Sequence, residues 1–114
     1  MEWRYEKFME TKQAPLKLRL ALEGYLSPGE QGEEKERQAY EDYLRRRVRP
    51  AVEMLMEQNR IEDILRMEEQ GWFGARELDE FISMAAKKGK TACWMDLVRR
   101  KAEHYGFPDR DFSL

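Results

Sequence analysis

Cys93 and His104 are the single cysteine and single histidine of this 114-residue chain, and they form its one conceivable nucleophile–base combination. Both fall in the same predicted helix, eleven residues apart. At 1.5 Å of rise per residue that separates them by about 16 Å, against the roughly 3 Å that activation of a thiol requires. Cys93 is therefore read as a small core residue. His104 is read as a helix C-terminal residue that complements the dipole. Adjacent carboxylates are plentiful (Glu33/Glu34, Glu41/Asp42, Glu62/Asp63, Glu68/Glu69), but neighbours on a helix diverge by about 100° and do not converge on a substrate. Glu53 and Glu57 have metal-ligand spacing, yet the chain holds no Glu-x-x-His to complete such a site. Solvated helix faces are the expected setting of all these acids. The seven glycines are scattered, with none in a phosphate-cradling arrangement after a strand. No catalytic, metal or cofactor site is expected, and an enzyme is not the reading.

Three groups could bind a partner. Arg45-Arg46-Arg47-Val48-Arg49 is the sharpest charge cluster, and Arg45, Arg46 and Arg49 could reach phosphates while Tyr40 and Tyr43 stack on unpaired bases. The competing role is complementing a helix end and pairing with upstream acids, and an isoelectric point near 5.6 argues against a dedicated nucleic-acid binder. Lys87, Lys88 and Lys90 surround Gly89 with a weaker version of the same signal. Trp72 and Phe73, between two glycines, either plug a gap between packed helices or protrude as an anchor for another protein. Plugging is the better expectation, because exposed aromatic pairs are costly in a monomer.

The composition, 41% apolar and 39% charged, suits slender helices that each bury one stripe, since charged residues usually make up about a quarter. Three Trp, five Tyr and five Phe supply burial that disordered chains lack. The formal charge of −2 is unevenly distributed. Residues 51–82 hold nine acids against three bases, and residues 83–114 hold seven bases against four acids, so the two regions could orient a partner. One cysteine excludes an internal disulfide. No secretory signal is visible behind the first residues, and no run approaches the 18 or so apolar residues of a bilayer span. A cytoplasmic setting without membrane contact is the expectation.

The elements that must position these groups read as helices. Trp3, Tyr5, Phe8 and Met9 mark a short one over residues 2–11. Pro15 opens another carrying Leu18, Leu22 and Tyr25, although the alternation of residues 16–20 leaves a strand as competitor. Ser27-Pro28-Gly29 is a turn, and residues 30–36 form a charged approach. A helix over 33–48 carries Tyr40, Tyr43, Leu44 and Val48, and Pro50 should stop it and push Arg49 out of helical geometry. Met54 and Leu55 face inward on the next helix, and Asn59 makes a tight turn into a return helix with Ile61, Ile64, Leu65 and Met67. After the loop at 71–74, Leu78, Phe81, Ile82, Ala85 and Ala86 line a helix that Gly89 caps in the left-handed conformation. Thr91 should cap the last helix, whose stripe is Trp94, Leu97, Val98, Ala102 and Tyr105, ending at Gly106 with Pro108 beyond.

The two later helix pairs register at a period of thirty: Asn59 with Gly89, Ile61 with Thr91, Ile64 with Trp94, Leu65 with Met95, Met67 with Leu97. Phe81-Ile82-Ser83-Met84-Ala85-Ala86-Lys87-Lys88-Gly89-Lys90, followed by Trp94 and Leu97-Val98, resembles the helical half of an ankyrin repeat, in which small residues precede a tight glycine turn and an aliphatic stripe follows it. Ala85 and Ala86 would let the two helices approach. The resemblance covers residues 51–106 and departs from the family in three ways. Ala75-Arg76-Glu77-Leu78 stands where ankyrin helices begin Thr-Pro-Leu-His, the connection is too short for a projecting β-finger, and the period is short of the family's. It is also similar to the degenerate helical tails of larger bacterial proteins.

The expected fold is all-α, a short stack of antiparallel helix pairs forming an ankyrin-like α-solenoid fragment. It forms a single domain over 1–114, with less regular helices to residue 49, two pairs over 50–106 and a tail over 107–114. The expected function is a non-enzymatic protein-interaction or adaptor domain. The alternative is a small nucleic-acid-associated protein using the arginine cluster at 45–49 and the lysine turn at 87–90.

Overall fold

The structure is a computed structural model that describes residues 2–26 and 34–106. The expected turn at Ser27-Pro28-Gly29, the approach over residues 30–33, the side chain of Trp3 and the tail with Pro108 lie outside the described residues. The chain is all-α: α1 (Glu2–Glu10), α2 (Ala14–Leu26), α3 (Glu34–Arg45), α4 (Val48–Glu57), α5 (Ile61–Glu69), α6 (Ala75–Lys88) and α7 (Thr91–His104), with no strand among the described residues. It divides into two compact units, Met1–Met54 and Leu55–Leu114, with the boundary inside α4.

In the first unit α2 lies between α1 and α3 and packs on both. That position explains its sequence. Leu18, Leu22 and Tyr25 are buried as the helical spacing requires, and Leu20, Ala21 and Leu26 are buried as well, because a helix covered on two sides needs apolar residues around most of its girth. The apparent alternation was the signature of a middle helix. Aromatic rings fill the space above it. Phe8 meets Tyr40 edge-on at 5.0 Å and Tyr43 at 5.4 Å, and Tyr5 meets Tyr40 at 6.1 Å. The Tyr40 ring of α3 lies directly against Gly24 of α2: a Cβ built there would lie 2.3 Å from Tyr40 Cε2. Arg37 of α3 stacks on the Tyr25 ring at 4.6 Å and donates to the Tyr25 carbonyl at 3.2 Å, satisfying an acceptor in the last turn of α2.

One expectation fails between α3 and α4. Pro50 does not terminate a helix, and Arg49 is helical. The chain already turns at Arg46 and Arg47, and Pro50 stands third in α4, where an N–H would have no intrahelical acceptor anyway. The proline restarts the helix rather than ending it.

The second unit repeats one kind of left-handed turn. Asn59 (φ 59°) and Gly89 (φ 71°) are both left-handed. Each turn closes with the same two bonds: Asn59 N–H to Met56 O and Arg60 N–H to Leu55 O, Gly89 N–H to Ala86 O and Lys90 N–H to Ala85 O. The same pair of bonds also closes the turn at Gly71 (φ 81°), where Gly71 N–H donates to Glu68 O and Trp72 N–H to Met67 O. Lys88 pairs with Glu57, and Lys90 donates to Asn59 Oδ1 at 3.2 Å, so the turns at Asn59 and Gly89 lie side by side. Leu55, Met56, Ile64, Met67, Leu78, Phe81, Ala85, Cys93 and Leu97 make the core.

Several details differ from the sequence reading. Met56 is buried and Met54 only half-buried; Ile61, Leu65 and Ile82 are half-buried, and Ala86 is exposed, so Ala85 alone serves close packing. Thr91 is not a cap: it is the first helical residue, and Lys90 precedes it without a side-chain cap bond.

Replacing Gly24 by Ala should lower unfolding free energy by about 2 kcal/mol, the cost of overpacking against a ring that Phe8 and Tyr5 hold from the other side. Urea denaturation of the two proteins measures it; equal midpoints would show that α2 and α3 are not this close.

Candidate functional site

Glu68 is the one charged residue buried among the described residues, 5% exposed. It lies four residues after Ile64 on α5 and so shares the face that must turn inward. A carboxylate there needs donors, and the last turns of α7 supply them. Arg100 Nη1 donates to Oε1 at 3.1 Å, the Tyr105 hydroxyl donates to Oε2 at 2.7 Å, and His104 Nδ1 stands 3.1 Å from the carboxylate. Arg100 also reaches Glu69 at 3.2 Å. Burial alone would raise the Glu68 carboxyl, but the bonds from Tyr105, His104 and Arg100 outweigh it and hold the group below its ordinary value. The Tyr105 hydroxyl moves the other way, raised chiefly by donating to Glu68. These residues were expected on solvated faces. The structure brings them together into a clamp between α5 and α7.

The clamp decides how α7 is rotated. Its inward face is Cys93, Leu97, Arg100 and His104, at helical spacing. Cys93 and Leu97 are buried, while Arg100 and His104 reach Glu68. Of the expected inward stripe, Leu97 is buried and Tyr105 reaches Glu68, whereas Trp94, Val98 and Ala102 are turned away from the core. Trp94 is 39% exposed, Met95 50% and Tyr105 43%, with Ala102 exposed and Val98 half-buried. Thr91, Trp94, Val98 and Ala102 follow one another at intervals of three, four and four, a continuous stripe along the helix. Beside it is a shallow depression of about 200 Å³ lined by Ala85, Ala86, Gly89, Thr91 and Trp94.

The sequence candidates are placed as follows. Trp72 and Phe73 are buried, at 9% and 6% exposed, and Phe73 meets Phe81 edge-on at 4.9 Å, so they plug the core rather than protrude. Arg45 pairs with Glu41 at 3.1 Å, Arg47 stacks on Tyr43 at 4.1 Å, and Tyr40 is buried among rings. Tyr43 is also approached by Lys17. Tyr40 is therefore closed to a base, while Tyr43 is half-buried. Arg46 and Arg49 are exposed. Lys88 and Lys90 bridge to the neighbouring turn, whereas Lys87 is exposed on the outer side of α6. Cys93 is buried, which together with Asp96 raises its thiol above its ordinary value and keeps it protonated at neutral pH. Among the described residues no group of three or more His, Cys, Asp or Glu could hold a metal ion, and no helix is long and apolar enough to cross a membrane.

Glu68→Ala should destabilise the protein by about 2–3 kcal/mol, because Arg100 loses its buried partner. Folding lowers the Glu68 pKa, so its contribution is fully present above the ordinary value of 4.5 and is lost as pH falls through and below it. Denaturation between pH 7 and pH 3 should therefore show the Glu68→Gln variant losing less stability on acidification than the parent; parallel curves would contradict the clamp. Comparison with family models, curated proteins and solved structures finds no match to this chain.

Proposed function

We propose that this chain is a non-enzymatic protein-interaction domain, an ankyrin-like stack of helix pairs that presents the outer face of α7 to another protein in a cytoplasmic setting. One observation carries the reading: two of the large apolar side chains exposed on the described residues, Trp94 and Met95, lie on this helix, beside Val98 and Ala102. Scattered exposed apolar residues are ordinary, but a stripe over the length of a helix is the form a binding surface takes. Trp is also among the residue types that carry most binding energy at such surfaces.

The thirty-residue register adds support. The face of α5 with Ile64 and Glu68 is covered by α7, and the same face one period later is that of Trp94 and Val98. In a stack of helix pairs each unit covers its neighbour's apolar flank, and an end unit normally carries a polar outer side. On α7 that face is apolar, which suits a surface that another molecule covers.

Affinity capture from cell extract with the parent protein and with Trp94→Glu tests the reading. Proteins recovered with the parent should be lost or reduced at least tenfold with the variant. Identical recovery from both, or recovery of no protein by either, would sink it.

A further inference from the structure

We propose that the end of the first unit where α1 turns into α2 and α3 turns into α4 binds the phosphates of single-stranded nucleic acid. The residues concerned all lie within the first unit, so the proposal is independent of the face of α7.

The fold brings together two basic segments that are far apart in sequence. Lys17, in the first turn of α2, stands 4.7 Å from the Phe8 ring near the end of α1 and 5.5 Å from the Tyr43 ring near the end of α3. The α1–α2 connection and the α3–α4 turn are therefore neighbours. Arg47, in that turn, lies 4.1 Å from the same Tyr43 ring, so one ring holds both cations. Lys12 and Arg46 are exposed on the same two connections. Residues 10–17 and 42–49 together hold six bases against two acids, Glu10 and Asp42, and Asp42 accepts a hydrogen bond from Gln38.

This charge is not balanced from within. Arg45 is paired with Glu41, but Lys12, Lys17, Arg46 and Arg47 make no ion pair among the described residues. In the second unit, by contrast, Arg60 and Arg66 meet Asp63, Lys88 meets Glu57, Arg99 meets Asp96 and Lys101 meets Asp79. Complementing a helix end accounts for Arg45 at the end of α3. It does not account for Lys12 and Lys17 at the start of α2, or for Arg49 at the start of α4, where the helix dipole is already positive. Cations gathered at two helix starts raise a local positive field that an anion relieves. The acidic balance of the whole chain does not cancel it, because salt screens each charge over about 8–10 Å.

Two features favour a polynucleotide among anions. Cations contributed by two connections side by side match a chain that repeats its charge, and arginine takes phosphate through its fork of N–H donors. The exposed Arg46 guanidinium is also a plane on which an unpaired base stacks. A duplex hides the faces of its bases, and an acidic peptide has none to offer.

Fluorescence anisotropy of a labelled oligouridine of about 12 nucleotides tests the site. Half-saturation is expected in the micromolar range at about 50 mM salt. With four phosphates neutralised, affinity should fall about fiftyfold between about 50 mM and 200 mM. Arg46→Gln combined with Arg47→Gln should weaken binding at least tenfold at low salt and roughly halve the salt slope, with the melting transition retained. Should that variant fail to fold, Lys12→Gln, outside any helix, should weaken binding severalfold. Arg66→Gln combined with Arg99→Gln, the same change of charge in the second unit, should leave binding within twofold, as should Trp94→Glu. No binding at about 500 µM protein and low salt overturns the proposal. So does an equal loss from the second-unit pair, or equal affinity for a duplex or a polyglutamate of the same length. None of these outcomes bears on the α7 reading, which Trp94→Glu tests by capture.

Discussion

A carboxylate out of water must be met by donors, and in this protein that requirement at Glu68 governs the rotation of the last helix. Ile64 and Glu68 share a face of α5, and Ile64 is fully buried, so Glu68 goes inward with it. Arg100, His104 and Tyr105 then have to point at α5. They carry with them the residues one and two turns earlier, Leu97 and Cys93, which become the apolar half of the same inward face. Nothing further is needed to put Trp94, Val98 and Ala102 on the other side. The apolar outer stripe is the geometric consequence of the polar inner one.

This is also why α7 was the element least legible from its sequence. Trp94, Leu97, Val98, Ala102 and Tyr105 have the spacing of a core stripe, and Cys93, Leu97, Arg100 and His104 have it equally well. Periodicity locates a face but not its direction, and hydrophobicity chose the wrong one because the inward face ends in an arginine and a histidine. The missing information was the acid on another helix, thirty-two residues before Arg100. Glu68 in turn looked solvated because it stands beside Glu69, which is exposed. Only the four-residue step from Ile64 could have set the two glutamates apart.

Elements decided by local chemistry were legible. The left-handed turns at Asn59 and Gly89 depend on residue types that tolerate positive φ, and both form as expected. Trp72 and Phe73 plug the core, as the cost of exposing two rings implied. Pro50 was misjudged because a proline reads alike at the end of one helix and in the first turn of the next; the chain had already turned at Arg46. Gly24 gave no signal at all, because its importance lies in a tyrosine sixteen residues away that packs where a side chain would be.

A clamp of this kind bears on function through register more than through stability. A buried ion pair adds little net free energy compared with apolar residues of the same size, and its best-attested use is to permit one packing arrangement and penalise the others. Turning α7 by a single residue, about 100°, would bring Trp94 inward and separate Arg100 from Glu68. An all-apolar interface between α5 and α7 would make the two rotations close in energy, since α7 has two apolar stripes to offer. The buried acid removes that ambiguity. It holds Trp94, Val98 and Ala102 outward in one fixed alignment.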